Sequence, residues 1–426
     1  MLSNLPAWLT YIEQKNPDQM HLGLDHLRPI AKSLDLIEWT IPVVTIAGTN
    51  GKGSTVAALD SFLRAAGKNV GCYTSPHLVH FNERIKINNQ SVTDERLCEA
   101  FSVIEAARKD QQLTYFEWAT LAALWIFKQE PLDFLLLEVG LGGRLDAVNL
   151  VNNTISIITG IDYDHQDWLG SSLEEIAREK AGIFKPGQIA LCAQRGAPKI
   201  IRQRAEELNL NFLDRNDFKY KKNNHTWTWQ GKTASGDDLC YADLPDHTVP
   251  FSNLAVAIQA LQFLLLSVPQ AIIEQGLQNL SIPGRLQRLP TEKPVVVDVA
   301  HNPQSAAYLA HWLQQQSYDK VRVVIGVLAD KDYAALLNVL LPYVDEWYVA
   351  ELASARALPA AQLQAYLQSC EAIVSGCYAT IEAAYEQAYQ ASAVNDLLLV
   401  CGSFYAVAPL YAVAPLIAMQ GENKSE

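Results

Sequence analysis

The sequence lacks an excess of positive charge. It has 33 lysine and arginine residues against 46 aspartate and glutamate residues, which gives a formal net charge of −13. Because proteins that bind nucleic acid use clustered positive charge, and no basic stripe is visible in this sequence, nucleic acid is excluded as an expected partner. The same charge repels anionic substrates, so individual cations such as Lys52, Lys180 and Arg285, or a bound metal, must attract them.

Long apolar runs are also missing. No segment approaches the roughly twenty uninterrupted apolar residues that span a membrane, and the run from Leu254 to Val268 is interrupted by two glutamines. The first ten residues contain no basic segment followed by a long apolar one, so no signal peptide is expected. The seven cysteines are scattered without metal-ligand spacing. We therefore expect a cytoplasmic protein with reduced thiols and no membrane partner.

What is present is a repeated alternation of apolar strand-like runs and helical stretches, which predicts an α/β fold. We expect a mostly parallel sheet of the phosphate-loop type in residues 1–282, including a small β-rich patch at about 218–250. Residues 283–292 have the proline, glycine and charge content of a linker. Residues 293–426 alternate again and predict a second, smaller, doubly wound α/β domain, with the active site in the cleft between the domains.

Five strands are predicted in the first domain. They are Val43–Ala47, Val70–Tyr73, Phe134–Val139, Ile155–Ile161 and Ile189–Ala193. Polar side chains that follow such strands gather at one edge of a parallel sheet, where ligands of open α/β sheets bind. Functional residues are therefore expected at the ends of these strands.

The most informative segment runs from Pro42 to Thr55 and reads PVVTIAGTNGKGST. A buried strand leads into a glycine-rich turn and then into a helix, so free backbone N–H groups and the Lys52 ammonium can converge on a polyphosphate. The common motif G-x-x-x-x-G-K-S/T has a hydroxyl directly after the lysine, where this chain has Gly53. The segment predicts nucleotide binding, and an ordinary strand-to-helix turn is the alternative.

Three further strand ends carry residues that could hold magnesium. Ser75 follows the second strand, Glu138 ends an apolar strand, and His165 follows the next one. A buried carboxylate is costly unless a cation meets its charge, so Glu138 in particular favours a metal. The hard oxygens of Ser75, Glu138 and the nucleotide would supply most of the ligands, because histidine is an unusual ligand of magnesium. Alternatively, Ser75 caps a turn and His165 is structural.

Candidate polar residues also occur outside these strand ends. Asp298 and His301 follow a strand of the second domain, and Arg285 lies in the predicted linker. An arginine in such a place suits phosphate oxygens, and Asn253 suits the edge of an adenine. Lys180 lies in the helical segment REKAGIFK, where exposed surface charge is the alternative interpretation.

Together these segments resemble the folylpolyglutamate synthase and dihydrofolate synthase branch of the Mur ligase superfamily. The resemblance covers nearly the whole chain and rests on a series of motifs rather than on one. They are GTNGKGS, SPHL, LEVGLGGRLDA, DHxxxLG, EKAGI, PGR and DxAHNP, in this order. The resemblance implies a monomeric ATP-dependent ligase with ATP, two magnesium ions and a carbamylated lysine at position 180.

The resemblance also implies roles for individual residues. The expected catalytic residues are Lys52, Lys180 and His301, and the expected metal ligands are Ser75, Glu138 and His165. The nucleotide would be bound by Thr49, Asn50, Gly51, Lys52, Gly53, Ser54, Asn253, Arg285 and Asp298. The pterin would be bound by Thr114, Tyr115, Phe116, Glu117, Leu145, Asp146 and Ala147, as in enzymes that also make dihydrofolate.

The expected substrates are therefore ATP, L-glutamate, dihydropteroate and reduced folates. A carboxylate of the acceptor would attack the γ-phosphorus of ATP, and the amine of glutamate would then attack the resulting acyl phosphate. A monofunctional folylpolyglutamate synthase or another Mur-type amino acid ligase is the nearest alternative. An alternative of a different class is a nucleotide-binding switch without ligase activity, which would leave Glu138, His165 and the second domain without a role.

Overall fold

The computed structural model describes Leu2, residues 4–15 and residues 23–413 of the chain. The chain divides into two compact units, Met1–Ser281 and Ile282–Glu426. Each unit contains a parallel-rich sheet with helices, so the predicted α/β class is confirmed. In the part of the chain that the structure describes, no helix is long and apolar enough to cross a membrane.

The centre of the first unit is a sheet of eight strands. They are β1 (Val43–Ala47), β2 (Val70–Tyr73), β3 (Ile85–Ile87), β4 (Gln90–Ser91), β5 (Phe134–Glu138), β6 (Ile155–Ile158), β7 (Ile189–Cys192) and β8 (Asn211–Asp214). Their order is β4-β3-β2-β5-β1-β6-β7-β8, with antiparallel pairing only of β3 with β2 and β4. Strands β1, β5 and β6 are buried along their whole length, as expected for central parallel strands.

Helices connect the strands of this sheet. They are α1 (Leu5–Lys15), α2 (Leu27–Ser33), α3 (Lys52–Ala65), α4 (Asp94–Arg108), α5 (Tyr115–Lys128), α6 (Gln166–Leu169), α7 (Leu173–Ala181), α8 (Lys199–Glu207), α9 (Phe251–Leu264) and α10 (Gln270–Asn279). Short 3₁₀ helices occur at Phe81–Arg84 and Ala147–Leu150. Because β1, β2, β5 and β6 run in parallel, the loops after them meet at one edge of the sheet.

A separate antiparallel sheet lies within the segment 218–250. Its strands are β9 (Lys219–Lys222), β10 (Thr226–Lys232) and β11 (Asp238–Pro245). The fully buried Trp229 anchors it to α9, because its indole N–H donates to the carbonyl oxygen of Ala255 at 3.0 Å. The ring of Trp229 also stacks on Tyr241, with a centroid distance of 5.4 Å. This sheet thus packs against one side of α9.

The second unit is built on a sheet of six strands. They are β12 (Gln287–Arg288), β13 (Val295–Val297), β14 (Val321–Ile325), β15 (Glu346–Ala350), β16 (Val374–Tyr378) and β17 (Leu397–Cys401). Their order is β12-β13-β17-β14-β15-β16, and all neighbours pair in parallel except β12 with β13. The helices are α11 (Pro303–Leu313), α12 (Tyr333–Leu340), α13 (Ala360–Ser369), α14 (Ile381–Ala391), α15 (Phe404–Val407) and α16 (Leu410–Val413), with a 3₁₀ helix at Leu341–Tyr343.

The segment 283–292, expected to be a linker, belongs to the fold of the second unit. Gln287 and Arg288 pair with Val297 and Val296, and Leu286 is only 6% exposed in the core of this unit. Its proline, glycine and charged residues suggested a connection between domains. The apolar residues Leu286 and Leu289 between them, both buried, are the signal that this segment packs.

Candidate nucleotide and metal site

The loop between β1 and α3 is shaped by glycine and anchored to the loop after β6. Gly51 has a φ of 86°, a left-handed conformation that glycine adopts without strain. The N–H of Thr49 donates to the carbonyl oxygen of Gly160 at 2.8 Å, and the Thr159 hydroxyl donates to that of Asn50 at 2.6 Å. The loop therefore leads directly into the start of α3, where backbone N–H groups can bind an anion.

Two lysine side chains converge on one carbonyl oxygen of this loop. Lys52 Nζ donates to the carbonyl oxygen of Gly48 at 3.0 Å, and Lys180 Nζ donates to the same oxygen at 3.1 Å. Lys52 Nζ also donates to the carbonyl oxygen of Thr49 at 3.2 Å. Both lysines line a pocket that is bounded further by residues 139–142, after β5, and by residues 164–165, after β6. Two of the three predicted cations, Lys52 and Lys180, thus lie at the predicted loop.

Lys180 is buried rather than on the surface. Only 4% of the residue is exposed, and its pKa is lowered to about 7. The main cause is burial, which disfavours the charged amine, and the neighbouring Lys52 ammonium lowers the pKa further. Asp164 and Asp146 act in the opposite direction. A large fraction of the Lys180 amine is therefore neutral at physiological pH, and the interpretation of this lysine as exposed surface charge is wrong.

Glu138 ends β5 with its carboxylate beside the phosphate loop. The residue is 4% exposed, and the N–H of Ser75 donates to Oε2 at 3.2 Å. A β-carbon at Gly53 would lie 3.3 Å from the same oxygen, and Ser54 is buried in the next position of α3. Two of the predicted metal ligands therefore lie together, next to the glycine that replaces the usual hydroxyl. Their hard oxygens fit a magnesium ion whose other ligands are phosphate and water oxygens.

His165 lies at the same pocket, in the loop after β6. Its side chain is 41% exposed, and Nε2 lies 3.7 Å from Asp164 Oδ2, an acidic side chain that was not among the predicted site residues. In the described part of the chain, no group of three or more His, Cys, Asp and Glu side chains is arranged to hold a metal ion. A metal ion at this pocket would need nucleotide oxygens among its ligands. The role of His165 as a metal ligand stays a prediction.

Asp146 is a buried carboxylate held by three backbone donors in the loop after β5. Oδ2 accepts the N–H groups of Gly140 at 3.0 Å and Leu141 at 2.9 Å, and Oδ1 accepts that of Val148 at 3.0 Å. Burial raises its pKa to about 7, although these hydrogen bonds and the Lys52 ammonium act to lower it. Asp146 therefore fixes the shape of this loop, and its contact with substrate stays a prediction.

Leu145 and Ala147 flank this carboxylate. Ala147 is 3% exposed and begins a 3₁₀ helix, while Leu145 is half-buried. Both are thus held next to Asp146 by the same loop. Their role in binding a pterin remains a prediction from the resemblance.

The segment from Thr114 to Glu117 forms the start of α5. Thr114 Oγ1 accepts the N–H of Glu117 at 3.3 Å, and Glu117 Oε2 accepts the N–H of Thr114 at 2.7 Å, which is the reciprocal arrangement of a capping box. Glu117 Oε1 also lies 3.0 Å from His26 Nε2. The polar side chains of this predicted substrate segment therefore hold the helix start. The spacing T-x-x-E is a signal from which this could have been predicted.

Aromatic rings surround the same helix start. Phe116 lies next to Tyr73, with ring centroids 5.8 Å apart, and Tyr115 lies next to Phe81 at the same distance. Tyr115 and Phe116 are half-buried, so their rings can contact a flat aromatic ligand, whereas Tyr73 and Phe81 are buried and support them. Tyr73 and Phe81 are not among the predicted site residues, because β2 and the first 3₁₀ helix bring them here from elsewhere in the sequence.

Asn253 lies against the phosphate loop from α9. The residue is 4% exposed, and a β-carbon at Gly51 would lie 2.4 Å from its Nδ2. The structure therefore brings Asn253 directly to the predicted phosphate-binding residues. Only glycine at position 51 leaves room for this amide.

The remaining predicted residues lie in the second unit. Asp298 is buried and accepts the N–H groups of Leu286 and Ala300, each at 2.8 Å. Burial raises the pKa of Asp298, while the charge of Arg285 acts to lower it. The Arg285 guanidinium lies 5.2 Å from the ring centroid of Phe404. This unit thus holds a carboxylate and a guanidinium within electrostatic reach of each other.

His301 follows β13 in the same unit. Its Nδ1 lies 2.9 Å from the carbonyl oxygen of Val299, and a carbonyl can only accept, so Nδ1 carries a proton. The next residue, Asn302, caps α11 by accepting the N–H of Ser305 at 2.9 Å. Asn302 therefore has a structural role as the cap of α11, and the catalytic role of His301 stays a prediction.

Comparison with known proteins identifies the family. The Mur ligase middle domain matches residues 46–241, and the Mur ligase glutamate ligase domain matches residues 284–404. A dihydrofolate synthase/folylpolyglutamate synthase from Escherichia coli is 39% identical over 408 residues, which cover 95% of this chain and 94% of the relative. The chain belongs to the dihydrofolate synthase/folylpolyglutamate synthase family. A relative of the same name from Haemophilus influenzae is 35% identical and covers 96% of this chain and 97% of its own length.

Solved structures of this family share the fold. The structure of E. coli FolC in complex with DHPP and ADP is 39% identical, with a TM-score of 0.91, and covers 96% of this chain and 97% of that chain. A bifunctional folylpolyglutamate synthase/dihydrofolate synthase with Mn, AMPPNP and L-glutamate bound is 41% identical, with a TM-score of 0.89, over 97% and 98% of the two chains. The motif-based resemblance is therefore confirmed, and the chain is a Mur-type ATP-dependent ligase.

Proposed function

We propose that this protein joins L-glutamate both to dihydropteroate and to reduced folates, using ATP. The observation that carries the proposal is the phosphate loop, where Lys52 Nζ donates to the carbonyl oxygen of Gly48 and the carboxylate of Glu138, paired with the N–H of Ser75, lies beside Gly53. Relatives named for both activities, and relatives with bound ADP, AMPPNP and L-glutamate, support it. The aromatic rings at the start of α5 suit the pterin of both acceptors.

In the first step, a carboxylate oxygen of the acceptor attacks the γ-phosphorus of ATP. The new O–P bond forms as the bond to the β-phosphate oxygen breaks, so ADP leaves and an acyl phosphate remains. Lys52 and the N–H groups at the start of α3 offset the charge on the transferring phosphoryl group. Thr49–Ser54 hold the phosphates, and Asn253, Arg285 and Asp298 hold the rest of the nucleotide.

In the second step, the amine of L-glutamate attacks the activated carbonyl carbon. An amide C–N bond forms, phosphate leaves, and the amine loses a proton. We place His301 at the departing phosphate. Exclusion of water from the site during the reaction would protect the acyl phosphate from hydrolysis.

We infer that two magnesium ions accompany ATP, with Ser75, Glu138 and His165 as protein ligands. When bound, magnesium neutralises charge on the phosphate oxygens and polarises the γ-phosphoryl group. The pairing of the Ser75 N–H with the buried Glu138 carboxylate supports this set of ligands. We further expect the protein to be a monomer and to be located in the cytoplasm. Light scattering on the purified protein measures its oligomeric state.

Glutamate incorporation tests the proposed function. Purified protein is incubated with MgATP and labelled L-glutamate, and dihydropteroate or a reduced folate is offered in separate reactions. We expect labelled product and stoichiometric ADP with each acceptor, and no product without one. Product with the folate alone would reduce the assignment to a monofunctional folylpolyglutamate synthase. Hydrolysis of ATP that responds to neither acceptor nor glutamate would instead favour the nucleotide-binding switch.

We also propose that Lys180 is carbamylated. A neutral amine reacts with carbon dioxide: the nitrogen forms a bond to carbon and releases one proton, which leaves a carbamate with one negative charge. The buried position of Lys180 and its pKa of about 7 support this reaction, since much of the amine is unprotonated at neutral pH. The carbamate would place a negative charge beside Lys52, where it can contact a second metal ion.

The carbamate predicts a dependence on carbon dioxide and pH. Activity should fall in buffer free of carbon dioxide and return with bicarbonate, and the fall should grow as pH drops below about 7, where the Lys180 amine becomes protonated. Nuclear magnetic resonance with ¹³C-labelled bicarbonate should detect one carbamate signal, absent from Lys180→Met. Lys185 is a matched control, because its pKa is also lowered, to about 8, but its amine donates to two carbonyl oxygens. A signal that persists in Lys180→Met and vanishes in Lys185→Met would contradict the proposal.

A further inference from the structure

Arg84 is a buried cation that lacks an ionic partner. The residue is 8% exposed and closes the 3₁₀ helix Phe81–Arg84. Its Nε donates to His77 Nδ1 at 2.8 Å, and in the described part of the chain no carboxylate lies within ion-pair distance of its guanidinium. Arg322, which is equally buried at 6% exposed, pairs instead with Glu346 and Asp396. Within the described ranges, Arg84 thus differs from Arg322 in having no carboxylate partner.

The neighbouring carboxylate of Glu83 does not compensate this charge. Its two oxygens accept the backbone N–H groups of Leu78, Val79 and His80 at 2.6 to 2.9 Å, which binds it to the loop after β2. His77 offers Arg84 only a neutral nitrogen, because a guanidinium donates and Nδ1 must accept. A buried charge without a partner is costly, so this arrangement is suited to an anion that arrives with a ligand.

The surroundings of Arg84 indicate which ligand this is. The guanidinium lies 5.6 Å from the ring centroid of Tyr115 and 5.7 Å from that of Phe81. Tyr115 begins α5, next to Phe116, in the aromatic surface to which we assigned the pterin. Arg84 is therefore on the acceptor side of the site, whereas the phosphate loop has its own cation in Lys52.

The backbone of Arg84 also places it near the reacting end of an acceptor. Its carbonyl oxygen accepts the N–H of Thr74 at 2.9 Å, directly before Ser75, whose N–H contacts Glu138. Arg84 thus lies at the carboxyl-terminal edge of β2: its side chain is beside the rings of Tyr115 and Phe81, and its backbone contacts the residue directly before Ser75. An acceptor has its carboxylate at the end opposite its pterin, which matches this order of groups.

We propose that Arg84 binds the carboxylate of the acceptor. With Nε committed to His77, its two Nη groups remain as donors, and they can bind the two oxygens of a carboxylate side by side. A carboxylate is the anionic group that dihydropteroate and reduced folates share. This inference rests on the proposed function, because it takes the acceptor to be a pteroate or a folate.

A double-mutant cycle between the protein and the ligand tests the inference. The dissociation constants of dihydropteroate and of the same molecule without its carboxylate are measured by quenching of tryptophan fluorescence, with MgADP present. We expect Arg84→Met to weaken dihydropteroate binding by about 10- to 100-fold. The ligand without a carboxylate should bind wild type and Arg84→Met equally. The KM for the acceptor should rise, while those for ATP and glutamate should not change.

Arg108→Met is the matched control. Arg108 also lies over an aromatic ring, that of Trp118 at 5.7 Å, but Glu105 pairs with it, so its loss should not change acceptor binding. Equal loss of affinity for both ligands in Arg84→Met would overturn the inference, because it indicates a structural role. A raised KM for glutamate alone would also overturn it. Wild-type protein that incorporates no glutamate would instead refute the proposed function.

A second variant covers the case in which Arg84→Met does not fold. Arg84→Lys keeps the charge but loses the planar fork, so the coupling to the carboxylate should be smaller than in wild type but present. Thermal unfolding measures folding of each variant. Coupling in Arg84→Lys equal to zero, in a folded protein, would overturn the inference.

Discussion

Lys52→Ala should lower kcat/KM for ATP by about 10²- to 10³-fold, the effect typical of losing one group that stabilises transition-state charge. Lys52 Nζ lies within 3.0 Å of the loop carbonyl of Gly48, where the phosphoryl groups are expected. The loss should appear mainly in kcat, because the charge on the transferring group is spread differently in the transition state than in bound ATP. Steady-state kinetics with saturating acceptor and glutamate measure it.

Lys68→Ala is the control for this variant. Lys68 follows the other end of α3, which is 14 residues long, so it lies roughly 20 Å from the loop. Its replacement should leave kcat and KM unchanged. If Lys52→Ala retained the wild-type kcat/KM for ATP, the assignment of the phosphate loop would be wrong.

Glu138→Gln should abolish the response of the enzyme to magnesium and lower kcat by about 100-fold or more, since metal ions supply several kcal/mol of transition-state stabilisation. The amide keeps the size of the side chain and can still accept the N–H of Ser75, so the fold should survive. MgATP at about 100 times its Kd stabilises wild-type protein by about 2.7 kcal/mol, and the variant should lose most of this stabilisation. Kinetics across magnesium concentrations and thermal unfolding measure the two effects.

Asp133→Asn separates a metal role from a general effect on β5. Asp133 lies directly before the other end of this strand, where its carboxylate accepts the N–H of Asn69 at 2.8 Å. Its replacement should leave the magnesium response intact. An unchanged magnesium profile in Glu138→Gln would remove Glu138 from the metal ligands.

Much of the sheet could be predicted because its central strands are apolar throughout. The bounds of β1 and β2, for instance, follow directly from the runs Val43–Ala47 and Val70–Tyr73. Edge strands were missed: β8 and β16 have exposed or half-exposed positions and polar or small residues, so they lack the continuous apolar signal. Edge strands escape prediction for a physical reason. Pairing with a single neighbouring strand stabilises them, so they do not need the apolar residues of a strand that is buried on both faces.

Site residues could be predicted where they directly follow a strand. They could not be predicted where side chains from different loops contact each other. Ser75 and Glu138 come directly after or at the end of parallel strands, so the topology alone predicts that they are close. The contact of Glu138 with Gly53, the burial of Lys180 and the isolation of Arg84 depend on the three-dimensional paths of loops. No spacing in the sequence contains that information, whereas the capping role of Thr114 could have been recognised from its spacing to Glu117.

The contact between Gly51 and Asn253 has a consequence for biosynthesis. The phosphate loop follows a strand made early, but its neighbours β5 and β6 are residues 134–158, and the amide against Gly51 arrives only with α9. At a translation rate of about 5–20 residues per second, Asn253 is therefore synthesised about ten seconds or more after Gly51. The nascent chain completes the packing around its phosphate loop only when nearly the whole first unit has left the ribosome.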